Sequence, residues 1–299
     1  MVPAFNGDTK MALKDFLIKN KTLATLFAVG SLFVGTAASL QSAEKPSAKQ
    51  PTSKVKAPTP SISNLNRVIK KIDLKTETIT RRKLVEREGD ISHLYLDGNG
   101  LLHTGIGLNI NDYESFSKLN FVTKSGRLLR NEEKKSTFAK IRALQKKQKK
   151  RGFNYDASYY KDYFPVIPTK ESQERLYRER LANSMSSVKK MLGFQAYYNL
   201  HPIAQSELAT MHYNMGSNKF NSEKWPNLTA AAKAGDYIRM SEECHVKGIG
   251  EERNKQVAEG FKCAAKIKWP KVGTLYMQQH KTQPALKNNV TQNYKNKER

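Results

Sequence analysis

The stretch that decides the fold is residues 88–107, "EGDISHLYLDGNGLLHTGIG". It begins with a β-rich run, "HLYLD", continues through "GNG", and ends in "LLHTGIG". Asp-Gly and Asn-Gly are strong signals of a tight turn, because glycine tolerates a positive φ. The stretch therefore predicts a β-hairpin.

The length of the hairpin loop decides which side chains share a face of the sheet. With a three-residue loop at Gly98–Gly100, Asp97 faces Leu101, and His103 lies diagonal to Asp97 on the same face. A two-residue loop would turn His103 to the opposite face. We favour the three-residue loop, because it leaves Gly100 free to take the left-handed conformation.

A helix is predicted immediately before the hairpin, over "TITRRKLVEREG". Thr80 is its predicted cap, Leu84 and Val85 give a short apolar stripe, and Gly89 ends it. Glu88 is thereby placed at the end of this helix, next to the hairpin.

The chain carries 52 Lys and Arg against 27 Asp and Glu, a formal net charge of +25. Such a charge favours a polyanionic partner: nucleic acid, anionic lipid or a bacterial cell-wall polymer. Near the N-terminus, a basic flank precedes an uncharged run over residues 22–43. Residues 1–43 thus have the layout of a signal peptide, or of a signal-anchor in the inner membrane, since roughly 20 apolar residues can span a bilayer. We expect an exported protein, periplasmic or membrane-tethered facing the cell wall, or secreted.

The rest of the chain predicts a linker, one domain and a tail. Residues 44–64 are rich in Pro, Ser and Lys, as in disordered linkers. Helical periodicity then predicts a mainly α domain over 65–269, with helices near 202–215, 226–244 and 250–264 and one beginning after Thr169. Within it, 125–165 is less regular and holds a basic run and an aromatic cluster, which is either a stacking platform for glycan or a small hydrophobic core. Residues 270–299 are predicted to be a polar tail.

Glu88 and Asp97 are candidate catalytic carboxylates. Glycoside hydrolysis needs one protonated carboxyl to protonate the leaving oxygen and a second group to stabilise positive charge or direct water. Glycines in the hairpin would let the backbone come close to a sugar chain. The alternative is a solvated Glu88 and an Asp97 that serves only its turn.

The spacing from Glu88 to Asp97 and on to "GIG" resembles the phage-type lysozymes, the family of T-even and lambdoid endolysins. Three further segments resemble that family in order: "PVIPTKESQERLYRERLANSMSSVKKML", "YYNLHPIAQSELATMHYNMG" and "GIGEERNKQVAEGFKC". The resemblance implies an α+β, mainly α, lysozyme-like fold. A small β-hairpin lobe and a helical lobe would flank a catalytic cleft, with an insertion at about 125–165.

By this resemblance Glu88 is the general acid and Asp97 assists. At the position where the family has a Thr that holds the attacking water, this chain has His103, which departs from the family pattern. His103 could activate water as a general base or attack the sugar carbon. It could also be an ordinary strand residue, or mark a weak or inactive lysozyme that still binds glycan. Thr104 could restore the water site through a small bulge, and the inverting or retaining outcome stays open.

The resemblance also places Arg253 as the ion-pair partner of Glu88, and Tyr213 and Asn214 along the cleft. The alternatives are an exposed Arg253 and a Tyr213 in the core. Cys244 and Cys263 could form a disulfide in an oxidising compartment. The histidines lack metal-ligand spacing, and we expect neither a metal nor a cofactor.

The predicted function is a peptidoglycan muramidase, a hydrolase of the β-1,4 bond between N-acetylmuramic acid and N-acetylglucosamine. It would act as a monomer on the cell wall, as a phage endolysin or a bacterial wall enzyme does. The alternative is an inactive peptidoglycan-binding protein on the same scaffold. Nucleic acid is not expected as a partner, because the basic residues are spread through linker and tail and frame no recognised reading module.

Overall fold

The computed structural model of the protein describes residues 60–150, 152 and 155–282. The chain divides into two units, 1–60 and 61–299, and the described residues belong almost entirely to the second. The predicted signal segment 1–43 and residues 44–59 of the predicted linker lie outside the described residues. The described part is mainly helical with a small antiparallel sheet, which confirms the α+β, mainly α class.

The helices and strands follow one another along the second unit. The helices are α1 Ile62–Glu88, α2 Tyr113–Ser117, α3 Asn131–Lys149, α4 Lys170–Leu192, α5 Phe194–Asn199, α6 Pro202–Met215, α7 Pro226–Ala234, α8 Tyr237–Glu243, α9 Glu251–Ala265 and α10 Val272–Thr282, with a 3-10 turn at Ala157–Tyr160. The strands are β1 Ile91–Leu96, β2 Leu102–Gly105, β3 Leu108–Asn109, β4 Phe121–Thr123 and β5 Val166–Pro168. β1, β2 and β3 form one antiparallel sheet, and β4 pairs with β5. None of the described helices is long and apolar enough to cross a bilayer.

Helix α1 begins much earlier than predicted. Its cap is Ser61, whose hydroxyl accepts a hydrogen bond from the Asn64 amide. Thr80 lies inside the helix and its hydroxyl donates to the Thr76 carbonyl, so the predicted cap at Thr80 is wrong. The predicted end of the linker at residue 64 is also wrong, because α1 already begins at Ile62. Burial of Leu65 stabilises the first turns, and this tertiary contact outweighs the local signals.

The hairpin has the predicted register. The Asp97 amide donates to the Leu101 carbonyl at 3.0 Å, and Leu96 pairs with Leu102. Gly100 has a φ of 74°, in the left-handed region, as the three-residue loop requires. The predicted end of α1 at Gly89, with a φ of 75°, is also confirmed.

Two predictions near the C-terminus are corrected. The helix predicted over 226–244 breaks at Gly235, which takes a left-handed conformation, and Asp236 caps the next helix. The tail predicted from residue 270 contains helix α10, whose Val272 is buried. Gly273 brings α10 so close to α5 that a Cβ there would overlap the Gln195 carbonyl. Residues 283–299 lie outside the described part.

The second unit has two hydrophobic cores, and α1 and α4 contribute to both. The core on the hairpin side contains Leu84, Leu94, Leu96, Leu102, Phe116, Phe121, Ile141, Tyr160, Phe164, Leu176 and Leu181. The second core, formed largely by the later helices, contains Ile72, Val188, Leu192, Tyr197, Leu208, Phe220, Met240, Phe261 and Val272. The C-terminal end of α1 therefore projects into the first core, where the hairpin begins.

The irregular segment 125–165 is folded onto the hairpin-side core. Its basic run forms the end of α3, and Ile141, Tyr160 and Phe164 are buried in that core. Tyr155 and Tyr159 remain exposed. The aromatic cluster is therefore part core and part surface.

Candidate active site

Glu88 is the last residue of α1, and Gly89 turns the chain from there towards β1. A Glu88 carboxylate oxygen accepts a hydrogen bond from Nη2 of Arg253 in α9. The Glu88 and Arg253 side chains are 20% and 30% exposed. The structure thus contains the ion pair expected between these residues, accessible to solvent and shared between two helices.

The turn between β2 and β3 packs directly against Glu88 at Gly107. Gly107 has a φ of 60°, and a Cβ at this position would lie 3.0 Å from Glu88 Cγ and 3.2 Å from Glu88 Cβ. A larger residue would have to displace the Glu88 side chain and adopt a conformation that L residues avoid. This glycine allows the close approach of turn and carboxylate.

Asp97 and His103 lie together on one face of the hairpin. His103 Nε2 is 3.3 Å from Asp97 Oδ2, an ion-pair distance. Nε2 is buried and has hydrogen-bond geometry to no partner among the described residues, so its contact with Asp97 is electrostatic. Asp97 Oδ1 accepts from the Asn99 amide at 3.0 Å and from the Leu101 amide at 2.7 Å.

These contacts favour an ionised Asp97. Partial burial would raise the pKa of the Asp97 carboxyl, but the His103 imidazole and the two loop amides outweigh it and lower the pKa. The carboxylate is therefore negatively charged at neutral pH.

Replacing Asp97 with Asn is expected to destabilise the protein at neutral pH and much less in acid. The folded-state pKa of Asp97 lies below the unfolded value of about 3.9, so its charge contributes stability above that pH. This contribution disappears as the pH falls through the lower folded-state pKa. Urea unfolding midpoints of both proteins across this range should converge in acid. A difference between the two midpoints that stays the same at every pH would contradict the assignment of a lowered pKa to Asp97. In a His103→Ala background, the difference between the midpoints at neutral pH should be smaller.

Tyr95 packs beside the Asp97–His103 pair and is a site residue that the sequence alone did not single out. It pairs with His103 across the strands, and the ring centroids are 5.7 Å apart. Burial raises the pKa of the Tyr95 phenol, and the charges of Glu88 and Asp97 raise it further. Both carboxylates are therefore within electrostatic reach of one phenol. The signal was present: Tyr95 is two residues before Asp97 and on the same strand face.

Tyr213 and Asn214 lie near the end of α6. The Tyr213 hydroxyl donates to the Ile106 carbonyl at 2.9 Å, which ties α6 to the turn that carries Gly107. Burial raises the pKa of Tyr213, and the Glu88 charge is among the further causes. Asn214 is exposed. Tyr213 thus supports the β2–β3 turn that packs against Glu88.

The expectation that Thr104 binds substrate is corrected. Its side chain is fully buried on the sheet face opposite His103. The hydroxyl donates to the His93 carbonyl at 3.1 Å and accepts from the Gln173 side chain. Strand alternation decides this, because successive residues point to opposite faces.

The disulfide considered for Cys244 and Cys263 is not formed, and both are free thiols. Cys244 is buried at the end of α8, where its thiol donates to the Ser241 carbonyl at 3.3 Å. Burial raises the pKa of this thiol to about 11. Cys263 is half-buried on α9. Helices α8 and α9 contact each other, but the two cysteine sulfurs are not bonded.

A buried charge cluster lies next to the Glu88 end of α1, and the sequence did not indicate it. Glu207 of α6 is fully buried and pairs with Lys83 and Arg87, which are 14% and 8% exposed. Gly260 of α9 makes room for it, since a Cβ there would overlap the Glu207 carboxylate. The cluster therefore joins α1, α6 and α9 in the same region as the Glu88–Arg253 pair.

Within the described ranges, no group of three or more His, Cys, Asp or Glu side chains is arranged to hold a metal ion. A cavity of about 850 Å³ lies between α3, the end of β4 and the segment 163–165 that precedes β5, and none of these candidate residues lines it. No family model matches the chain, and no curated protein matches it.

Proposed function

We propose that the protein is a peptidoglycan muramidase with a lysozyme-like fold. The observation that carries this proposal is the arrangement at the end of α1. Glu88 is paired with Arg253 and packed against Gly107 in the β2–β3 turn, and the β1–β2 hairpin of the same sheet presents Asp97 and His103 on one face. The order and spacing of these residues are those that suggested the phage-type lysozymes in the sequence.

Glu88 is the general acid in this proposal. It transfers its proton to the glycosidic oxygen of the departing sugar, and the resulting carboxylate is stabilised by Arg253. The pair also holds the carboxyl at the end of α1, where the Gly107 backbone limits its movement. Asp97, charged at neutral pH, stabilises positive charge that develops on the sugar ring.

His103 acts on the anomeric carbon in one of two ways. As a general base it takes a proton from water, whose oxygen bonds to the carbon, and the product has inverted configuration. As a nucleophile its Nδ1 bonds to the carbon, because Nε2 is buried against Asp97. Water later displaces the imidazole, and the configuration is retained. The anomer formed first by the enzyme distinguishes the two.

The proposal includes export to the cell wall, with residues 1–43 as a signal peptide or anchor. The net charge of +25 would concentrate the protein on an anionic wall. Peptidoglycan is the proposed substrate, and no oligomeric partner is needed to complete the site.

The test is digestion of purified peptidoglycan followed by mass spectrometry of the soluble products. Muropeptides ending in a reducing N-acetylmuramic acid would support the muramidase.

The second candidate, an inactive glycan-binding protein, is favoured by one observation: His103 stands where the family has Thr. If the protein sediments with peptidoglycan but releases no new reducing ends, it binds the glycan without cutting it, and the second candidate is correct.

Replacing Gly107 with Ala is expected to abolish most of the muramidase activity at a small cost in stability. The left-handed conformation costs an L residue about 1–2 kcal/mol, and the new methyl group would push on Glu88. Gly126→Ala is a matched control, since Gly126 has a φ of 82° and open space around its Cβ position. Thermal unfolding should shift similarly in both variants, but muropeptide release should fall only in Gly107→Ala. Equal activities would mean that Glu88 does not depend on this contact.

A further inference from the structure

The cavity between α3, the end of β4 and the segment 163–165 before β5 has a composition that the muramidase proposal does not use. Its floor is largely carbon, from Ala143, Leu144, Phe164 and Pro165. Three lysines, Lys124, Lys140 and Lys147, stand around it. We call this feature the lysine-rimmed groove.

The lysines of the rim lie in a strongly positive segment. Residues 124–165 contain thirteen Lys and Arg against four Asp and Glu. Lys140 and Lys147 are exposed and two turns apart, on one face of α3. Among the described residues, no carboxylate lies within ion-pair distance of either. Lys124 donates to the Asp162 carbonyl at 2.8 Å, which holds its ammonium group in place without neutralising it.

Exposed aromatic side chains extend from the groove. Tyr163 lines it, and the ring of Tyr159 is 6.2 Å from that of Tyr163. Tyr155 stacks on Tyr159 at 4.2 Å, and these two tyrosines are 40% and 43% exposed. Tyrosine is enriched where an apolar phase meets water, because its ring is apolar and its hydroxyl is polar.

We propose that the lysine-rimmed groove and its tyrosines bind the surface of an anionic phospholipid bilayer. Phosphate groups would contact Lys140 and Lys147, while the carbon floor would cover glycerol and acyl carbon. This occupant uses the charged rim and the carbon floor together, whereas double-stranded DNA would contact mainly the lysines and a neutral glycan mainly the tyrosines. The surface differs from the apolar segment 22–43 and does not depend on muramidase activity.

The test uses the full chain and its Lys140→Gln/Lys147→Gln variant with vesicles of phosphatidylglycerol and phosphatidylcholine. Each lysine near an anionic surface should contribute about five-fold in affinity, so the variant should bind phosphatidylglycerol vesicles about 25-fold more weakly. Lys233→Gln/Lys268→Gln is the matched control, because it removes the same charge from exposed positions outside the segment. Its binding should change little.

Hydrogen exchange locates the contact and separates it from any binding through residues 22–43. Phosphatidylglycerol vesicles, but not phosphatidylcholine vesicles, should slow exchange in α3 and in residues 123–125 and 163–164, which line the groove. Equal losses of vesicle affinity in the two double variants would overturn the proposal, because they would show that binding depends on total charge rather than on the groove. Unchanged exchange at the groove would also overturn it. The proposal would also be overturned if the Lys140→Gln/Lys147→Gln variant bound double-stranded DNA or peptidoglycan more weakly but bound vesicles as the wild type does.

Discussion

Glu88→Gln should lower the rate of muropeptide release by about 10²–10⁴-fold, the usual contribution of a general acid. Glutamine has the same shape and its carbonyl can still accept a hydrogen bond from Arg253, but it cannot transfer a proton to the leaving oxygen. The fold and the affinity for peptidoglycan should therefore survive. Reducing-end assays on purified peptidoglycan, with sedimentation as the binding measurement, separate these effects.

Glu86→Gln is the matched control for this experiment. Glu86 is on the same helical turn as Glu88, is exposed, and pairs only loosely with Arg82 at 3.7 Å. Its replacement removes the same charge without touching the proposed site, and activity should be near that of the wild type. Full activity in Glu88→Gln would remove Glu88 from the mechanism. Equal losses in both variants would indicate a charge effect rather than acid catalysis.

Glu207→Gln should lower the free energy of unfolding by about 3–5 kcal/mol, the usual cost of leaving buried charges without a partner. The Glu207 carboxylate is fully buried and accepts from both Lys83 and Arg87. Glutamine keeps the volume beside Gly260 but leaves two cations with no opposite charge. Urea unfolding monitored by circular dichroism measures the loss.

Glu174→Gln is the control for burial. Glu174 also pairs with two cations, Arg81 and Arg178, but its side chain is 30% exposed. Water screens such pairs, so its replacement should cost about 0–1 kcal/mol. Similar losses in the two variants would show that burial of Glu207 carries no special cost. Because Arg87 directly precedes Glu88, we also expect Glu207→Gln to lower activity by loosening the end of α1.

Local signals in the chain were enough for the parts of the site that are close in sequence. The turn glycines and the alternation of side chains predicted the register that places Asp97 and His103 on one face. Gly89 marked the end of α1, because its positive φ is a common helix terminator. These features depend on the backbone preferences of neighbouring residues, which the sequence shows directly.

The expectations that were wrong depended on contacts between distant segments. Thr80 has the chemistry of a cap, yet packing of the earlier turns carries α1 back to Ile62. Thr104 is next to His103 in the chain, but Gln173 of α4 holds its hydroxyl inside the protein. The two cysteines lie on contacting helices and remain free, since a disulfide requires geometry that helix contact alone does not provide.

The sequence by itself determined the hairpin, the end of α1 and the mainly helical class, and it favoured the register that places Asp97 and His103 on one face. Only the tertiary structure decided that the charges of Glu88 and Asp97 both raise the pKa of Tyr95 and that buried Glu207 pairs with Lys83 and Arg87. The physical reason is separation along the chain: Glu207 is 124 residues from Lys83, so no local preference brings them together. Their contact follows from the packing of α1, α6 and α9 around the hydrophobic cores.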